Sequence, residues 1–262
     1  MLKKRIIPKI TFVPKKFGTL DKLVAITTKQ FNEHRLVGDP VSQSKVFENT
    51  GADQLLLINK KRLDIGSNTS LRNLVQLVSR EISMPVCFAG GINSISDADF
   101  LFKNGIDKIS IGTSAITDPG FITRLAERYG SQAICVCIDY KYKNDQEISI
   151  YSEAGNKETS LDIYHWIDLC QKENVGEIIL NSVTLDGQMM GIDKTLPSKL
   201  RKLIDVPIVL TGGCSTWVDF AHAFNEMDMD GVAASTFFSN TDQNIVELKQ
   251  KLKLSGTLVR VD

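Results

Sequence analysis

Two stretches of the chain, PVCFAGGINSISDADFLFKNGIDKISIGTSA and PIVLTGGCSTWVDFAHAFNEMDMDGVAASTF, resemble each other across an offset of 122 residues. Gly90-Gly91 and Gly212-Gly213 close an apolar run in each, and Thr113 and Ser235 lie 22 residues beyond the second glycine of each pair. The same offset aligns Ile58-Asn59 with Leu180-Asn181, and Leu63-Asp64 with Leu185-Asp186. Repetition at nearly half of a 262-residue chain suits a barrel of two four-unit halves, whereas an open doubly wound sheet has no reason to repeat there.

Eight short β-branched runs support that choice: Arg5 to Ile10, Gln54 to Ile58, Pro85 to Phe88, Lys108 to Ile111, Ala133 to Ile138, Glu177 to Leu180, Pro207 to Leu210 and Gly231 to Ala234. Segments between them, such as SLRNLVQLVSREI and TWVDFAHAFNEM, space apolar residues three and four apart, as helices covering a sheet do. Alternation of strand and crossover helix predicts a parallel sheet, and the length is near the ~250 residues of one (β/α)8 TIM barrel spanning residues 1–262. A hydroxyl of Ser67-Asn68-Thr69-Ser70 is expected to cap one helix, and Ser160 another, with Asp162 in its first turn.

Charge excludes some partners. Lys plus Arg equals Asp plus Glu at 31 each, so no net positive field draws the chain to nucleic acid or an anionic membrane. The basic start MLKKRIIPKITFVPKK is interrupted by Pro8 and Lys9 and lacks the continuous apolar region of a signal peptide. Apolar runs stay far below the ~20 residues of a membrane span, and the five cysteines, several inside apolar runs, suggest reduced core thiols; a cytoplasmic protein is expected. Cys135 and Cys137 share one strand face without a second ligand pair nearby in sequence, so no metal and no cofactor is expected.

The repeat also places chemistry. Paired glycines let backbone N–H groups approach a ligand, and a hydroxyl residue ahead of a helix adds a donor. Gly90, Gly91, Gly112 and Thr113 on one side, and Gly212, Gly213, Ala234 and Ser235 on the other, are therefore expected to hold two phosphates across the barrel mouth. Asp139 ends an apolar strand, and Asp186 sits in SVTLDGQMMG, where Gly187 and Gly191 permit a closing loop; these carboxylates are the acid and base candidates. The competing reading of Asp186 is an Asp-Gly turn. His34, His165 and His222 lie away from strand ends, and Cys214 in TGGC reads as a loop residue at least as readily as a nucleophile.

Beyond the repeat, the pieces RIIP, GDP, GAD, DKISIGTSA, RLAERYGSQ, CIDYK, VGEIILNSVTLDG, PIVLTGG and VAAS occur in an order that resembles the cyclase subunit of imidazole glycerol phosphate synthase. The resemblance covers roughly residues 3 to 252 and implies a barrel that receives ammonia from a glutaminase at its N-terminal face. It further implies delivery of that ammonia to a phosphorylated intermediate held by the glycine turns, and Gly187 is counted among the phosphate-binding residues. Of the two family aspartates, one matches Asp139, while Thr11 stands where the other belongs, and a threonine cannot shuttle protons near neutral pH. Lys9 replaces a small residue, Asn59 replaces a further aspartate, Ala89 and Gly112 depart from the first phosphate site, and VPKKFGTLDKLVAITTKQF is longer than the usual loop. The ammonia gate of the family maps onto Arg5, Gln54, Lys108 and Glu177.

These departures are similar to a divergent branch associated with surface-polysaccharide biosynthesis. That branch implies relay of ammonia to a separate sugar amidotransferase forming an acetamidino group. The alternative implied by the resemblance is the ordinary cyclase of histidine biosynthesis.

Overall fold

In the computed structural model, which describes residues 3–18, 20–30, 33–144, 147–240 and 243–260, eight parallel strands close into a barrel. They are β1 (Arg5–Phe17), β4 (Leu55–Asn59), β5 (Val86–Ala89), β6 (Lys108–Ile111), β7 (Ile134–Tyr142), β10 (Glu177–Ser182), β11 (Ile208–Thr211) and β12 (Gly231–Ala234). Each pairs with the next in that order, and closure is made by β12 against β1, with Arg5 opposite Gly231 and Pro8 opposite Ala234. The fold is a (β/α)8 barrel.

Period-2 alternation sorts side chains between its two layers. Along β1, Ile6, Ile10 and Phe12 are buried against the helices, whereas Ile7 packs inside with Leu56, Cys87, Cys135, Ile179, Val209 and Ala233. The inner layer is small and apolar; the larger core, including Trp166, Phe220 and Phe237, lies under the outer helices. Those helices are α1 (Pro40–Asn49), α2 (Thr69–Glu81), α3 (Ile95–Lys103), α4 (Thr113–Thr117), α5 (Gly120–Tyr129), α6 (Ile163–Lys172), α7 (Thr195–Leu200), α8 (Trp217–Asn225), α9 (Thr236–Asn240) and α10 (Ile245–Leu254). No helix among the described residues is long and apolar enough to cross a membrane.

The first strand departs most from its expected bounds. It does not stop at Ile10 but runs to Phe17, pairing antiparallel with β2 (Leu20–Lys29), which pairs in turn with β3 (Glu33–Gly38). What reads as a long loop is thus a β-extension, because the β-branched run VAITT can bury Val24, Ile26 and Thr28 while continuing the ladder. At the same carboxyl rim, β7 continues antiparallel into β8 (Ile148–Ser152) and β9 (Lys157–Glu158).

Two caps also differ from expectation. Asn68, not a neighbouring hydroxyl, accepts the Leu71 N–H at 2.9 Å, and Asp162, not Ser160, caps α6 by accepting the His165 N–H at 2.9 Å. An amide or carboxylate oxygen one bond further from the backbone serves the N-cap equally well.

Candidate functional site

At the carboxyl ends of β4 to β7, β10 and β11 lies a cavity of about 390 Å³. Asp139, at the end of β7, opens on it and accepts a 2.7 Å hydrogen bond from Asn181 Nδ2. Burial pushes the Asp139 carboxyl up to about 6, a rise opposed by the Asn181 and Cys137 hydrogen bonds and by the Lys9 charge. Such a group changes protonation near neutral pH, as a general acid or base must. Cys137, whose thiol burial holds well above its usual range, stays protonated and donates toward Asp139 at 3.7 Å.

The other carboxylate is differently placed. Asp186 is 3 % exposed and its Oδ1 meets the Lys9 ammonium at 2.5 Å, while Thr28 Oγ1 donates to Oδ2 at 2.6 Å. A buried charge needs such compensation, and both carboxylate oxygens are committed to it. The β2 backbone continues the contact, since Gln30 N donates to Asp186 O at 2.9 Å and a Cβ on Gly187 would fall 1.6 Å from Thr28 O. The hairpin is therefore seated on the Asp186-Gly187 turn.

Thr11 is buried between Ile26 of β2 and Ile58 of β4 in the ladder, and the wall of the cavity is formed by Lys9 rather than by Thr11.

Both glycine pairs expected to cradle anions form tight backbone turns. Gly90 and Gly91 have φ of +93° and +84°, and a Cβ on Gly90 would meet Asn59 O at 2.4 Å; Gly212 and Gly213 have φ of +101° and +95°, the second only 2.0 Å from Gly191 O by the same construction. Glycine is required at all four by conformation and close backbone approach alone. The first pair, with Gly112 and Thr113, lines the large cavity, although Thr113 Oγ1 already accepts the Glu153 N–H at 3.0 Å. The second pair, with Gly187, Ala234 and Ser235, lines a separate space of about 20 Å³, room for about one water. Lys9 and Thr211 form the wall shared by the two spaces.

At the opposite end of the bore, Glu177 binds Arg5 at 2.6 Å and Lys108 at 2.9 Å, and Arg5 also donates to Gln54 Oε1 at 2.8 Å. Burial pushes the Glu177 carboxyl up, but the two cations outweigh it and hold the group below its ordinary value. All four expected gate residues thus form one cluster.

Three polar atoms escaped the sequence reading. Ser110 Oγ, Asn181 Oδ1 and Thr211 Oγ1 line the large cavity, buried and without a protein hydrogen-bond partner. Each is a polar residue at an inward position of an otherwise apolar strand, and that alternation is the signal that could have found them. His165 and His222 sit on outer helices, and the His34 side chain lies outside the described residues. Cys214 is buried against the smaller space with its thiol held far above its usual range, which removes it as a nucleophile.

The closed parallel barrel with polar cavities at its carboxyl ends belongs to the class that binds small ligands over the strand termini. The histidine biosynthesis protein family matches residues 20–243. The chain is 32 % identical over 265 residues to the putative imidazole glycerol phosphate synthase subunit hisF2 of Prochlorococcus marinus (strain MIT 9313), covering all of both chains. It is 35 % identical over 265 residues to the imidazole glycerol phosphate synthase subunit HisF of Actinobacillus pleuropneumoniae serotype 7 (strain AP76), covering 99 % of this chain and all of the relative. For the HisF subunit of Escherichia coli O1:K1 / APEC the identity is 36 % over 268 residues, with complete coverage of both. The chain belongs to the imidazole glycerol phosphate synthase HisF family.

Proposed function

We propose that the chain is the ammonia-accepting barrel subunit of an imidazole glycerol phosphate synthase in histidine biosynthesis. The observation that carries the reading is Asp139, poised near pH 6 in a cavity with a glycine cradle on one wall, in a chain related to HisF subunits along its whole length. In this reading a glutaminase docks at the N-terminal face and ammonia enters past Arg5, Gln54, Lys108 and Glu177. Neutral ammonia can pass an apolar bore such as the layer around Ile7 and Leu56, whereas ammonium would lose its solvation there. Asn181 Oδ1, Ser110 and Thr211 offer partners to the reacting end of the ligand, and Asp139 moves the proton. We read the matched glycine turns as the two halves of a duplicated barrel.

The relatives named above are described as imidazole glycerol phosphate synthase subunits and not as sugar-modifying proteins, so the ordinary family activity takes precedence over the surface-polysaccharide role. A second reading is nevertheless favoured by one observation. Thr11 supplies no first-strand carboxylate, and the nearby Asp186 is held by Lys9, which leaves Asp139 without a free acidic partner. That arrangement suits an ammonia relay to a separate sugar amidotransferase.

Turnover of the histidine-pathway bisphosphate intermediate with ammonium salt, in the absence of any partner, separates the two. Formation of imidazole glycerol phosphate supports the first reading. Its absence, together with stimulation of a glutaminase by the chain, supports the second.

A further inference from the structure

Among the described residues Lys9 is the one basic side chain on a strand wall of the large cavity; Lys60, Lys61 and Arg62 stand on the turn after β4. Lys9 follows Ile7 by two positions on β1 and pairs with Leu56 of β4, so its side chain enters the barrel directly above the apolar layer those two residues help to form. A neutral molecule leaving that layer toward the carboxyl ends therefore meets Lys9 on one wall. Counted either way round the barrel, β7 is the fourth strand from β1, which puts Asp139 on the opposite wall of the same cavity.

The Lys9 charge is felt on both sides of this wall. It opposes the rise that burial causes in the carboxyl of Asp139 and in the thiols of Cys137 and Cys214. Asp186 Oδ1 takes one of the three N–H donors of the ammonium at 2.5 Å and so offsets the cost of placing a cation this deep. Other candidates for giving a proton to a bound ligand are weaker. Thr11 does not line the cavity, the Asp186 oxygens are held by Lys9 and Thr28, and burial raises both thiols far above their usual range. Addition of ammonia to a carbonyl carbon moves two protons, one off the nitrogen and one onto the oxygen. An Asp139 carboxylate poised to take the first has none to give to the second.

We propose that Lys9 is a catalytic proton donor to the reacting oxygen of the ligand, working across the barrel from Asp139, which takes the proton from the nitrogen. The inference rests on the proposed use of this cavity for ammonia addition. As the C–N bond forms, the carbonyl π electron pair moves onto oxygen. Lys9 gives that oxygen a proton and becomes a neutral amine, while the Asp139 carboxylate takes a proton from the nitrogen. Return of the Asp139 proton to Lys9 through water restores both groups, so the addition consumes no proton overall. Asp186 keeps the Lys9 side chain aimed at the cavity throughout.

Steady-state kinetics with ammonium salt and the histidine-pathway bisphosphate intermediate, on the full-length wild type, Lys9→Arg and Lys9→Gln/Asp186→Asn, test it. Arginine keeps the positive charge and the ion pair with Asp186 but releases no proton near neutral pH. The amide pair replaces the ion pair by a hydrogen bond between neutral groups, and it serves where the larger guanidinium disturbs the packing. Circular dichroism and urea denaturation identify the folded variants. In these, kcat is expected to fall at least about a hundredfold while KM stays within about threefold of wild type. A folded variant that keeps kcat within about threefold, or that changes KM alone, overturns the proposal, since Lys9 then holds the fold or the ligand without moving a proton. The two failures are distinct: a wild type without turnover overturns the cyclase reading as well, whereas a wild type that turns over beside an equally fast Lys9→Arg overturns the role of Lys9 alone.

Discussion

Lys9 and Asp186, 177 positions apart, meet at 2.5 Å in the barrel mouth with both side chains 4 % exposed. The pair joins the first strand to the loop after β10, and through Thr28 it also holds the β2 hairpin. It converts a carboxylate at the rim of the ligand face into a structural tether.

Breaking the tether on one side leaves a buried charge uncompensated. Lys9→Met is expected to destabilise the fold by about 3–5 kcal/mol, with Lys9→Met/Asp186→Leu recovering most of the loss. Urea denaturation of wild type, both single variants and the double variant measures the coupling. Additive losses would show that the two side chains act independently.

How far such relationships are legible in sequence depends on their range. The eight strands follow from local alternation, and the inward row Arg5, Ile7, Lys9 and Thr11 is readable because side-chain period in a strand is fixed. That a lysine in this row must find an acid follows as well, but which acid is decided by tertiary packing across the barrel. Asp139 was visible as a charge at a strand end, whereas its partner Asn181 and the unpaired Ser110 and Thr211 emerge only when β6, β7, β10 and β11 are brought around one cavity. The hairpin is not legible in the same way, because VPKKFGTLDKLVAITTKQF reads as an extended loop until β1 runs on to Phe17 and gives its β-branched half an antiparallel partner.

Asp139 couples protonation to stability. Its folded-state carboxyl titrates at about 6, above the 3.8 of an ordinary aspartate, because burial disfavours the charged form. The stabilising contribution is therefore complete below the unfolded value and is lost as pH rises through about 6. Relative to Asp139→Asn, the wild type should lose about 3 kcal/mol between about pH 3 and pH 8, and denaturation across that range reads the difference. A pH-independent gap would mean that Asp139 titrates normally.

Glu177 opposes Arg5 and Lys108 at the far end of the bore. Glu177→Gln leaves two cations facing amides and should cost a few kcal/mol, of the order of about 3. With a glutaminase partner present, glutamine-dependent turnover should fall more than ammonium-dependent turnover. Equal losses from both nitrogen sources would count against a gate at this position.

Gly187 has a φ of +71° and lies where a Cβ would collide with the Thr28 carbonyl. Gly187→Ala should lift β2 from the loop, adding about 1 kcal/mol of backbone strain to the collision. Hydrogen exchange of the Gln30 amide, which donates to Asp186 O, should quicken markedly while the β7 and β10 amides stay protected. Unchanged protection of Gln30 would show that the hairpin is held by other contacts.

The most direct measurement is conversion of the histidine-pathway bisphosphate intermediate with saturating ammonium salt, by wild type and by Asp139→Asn side by side. Turnover in the wild type and a loss of at least about a hundredfold in the variant are expected of a proton-transfer group. A wild type without turnover, or a variant as active as the wild type, contradicts the assignment of Asp139 as the group that moves the proton in an ammonia-fed cyclase.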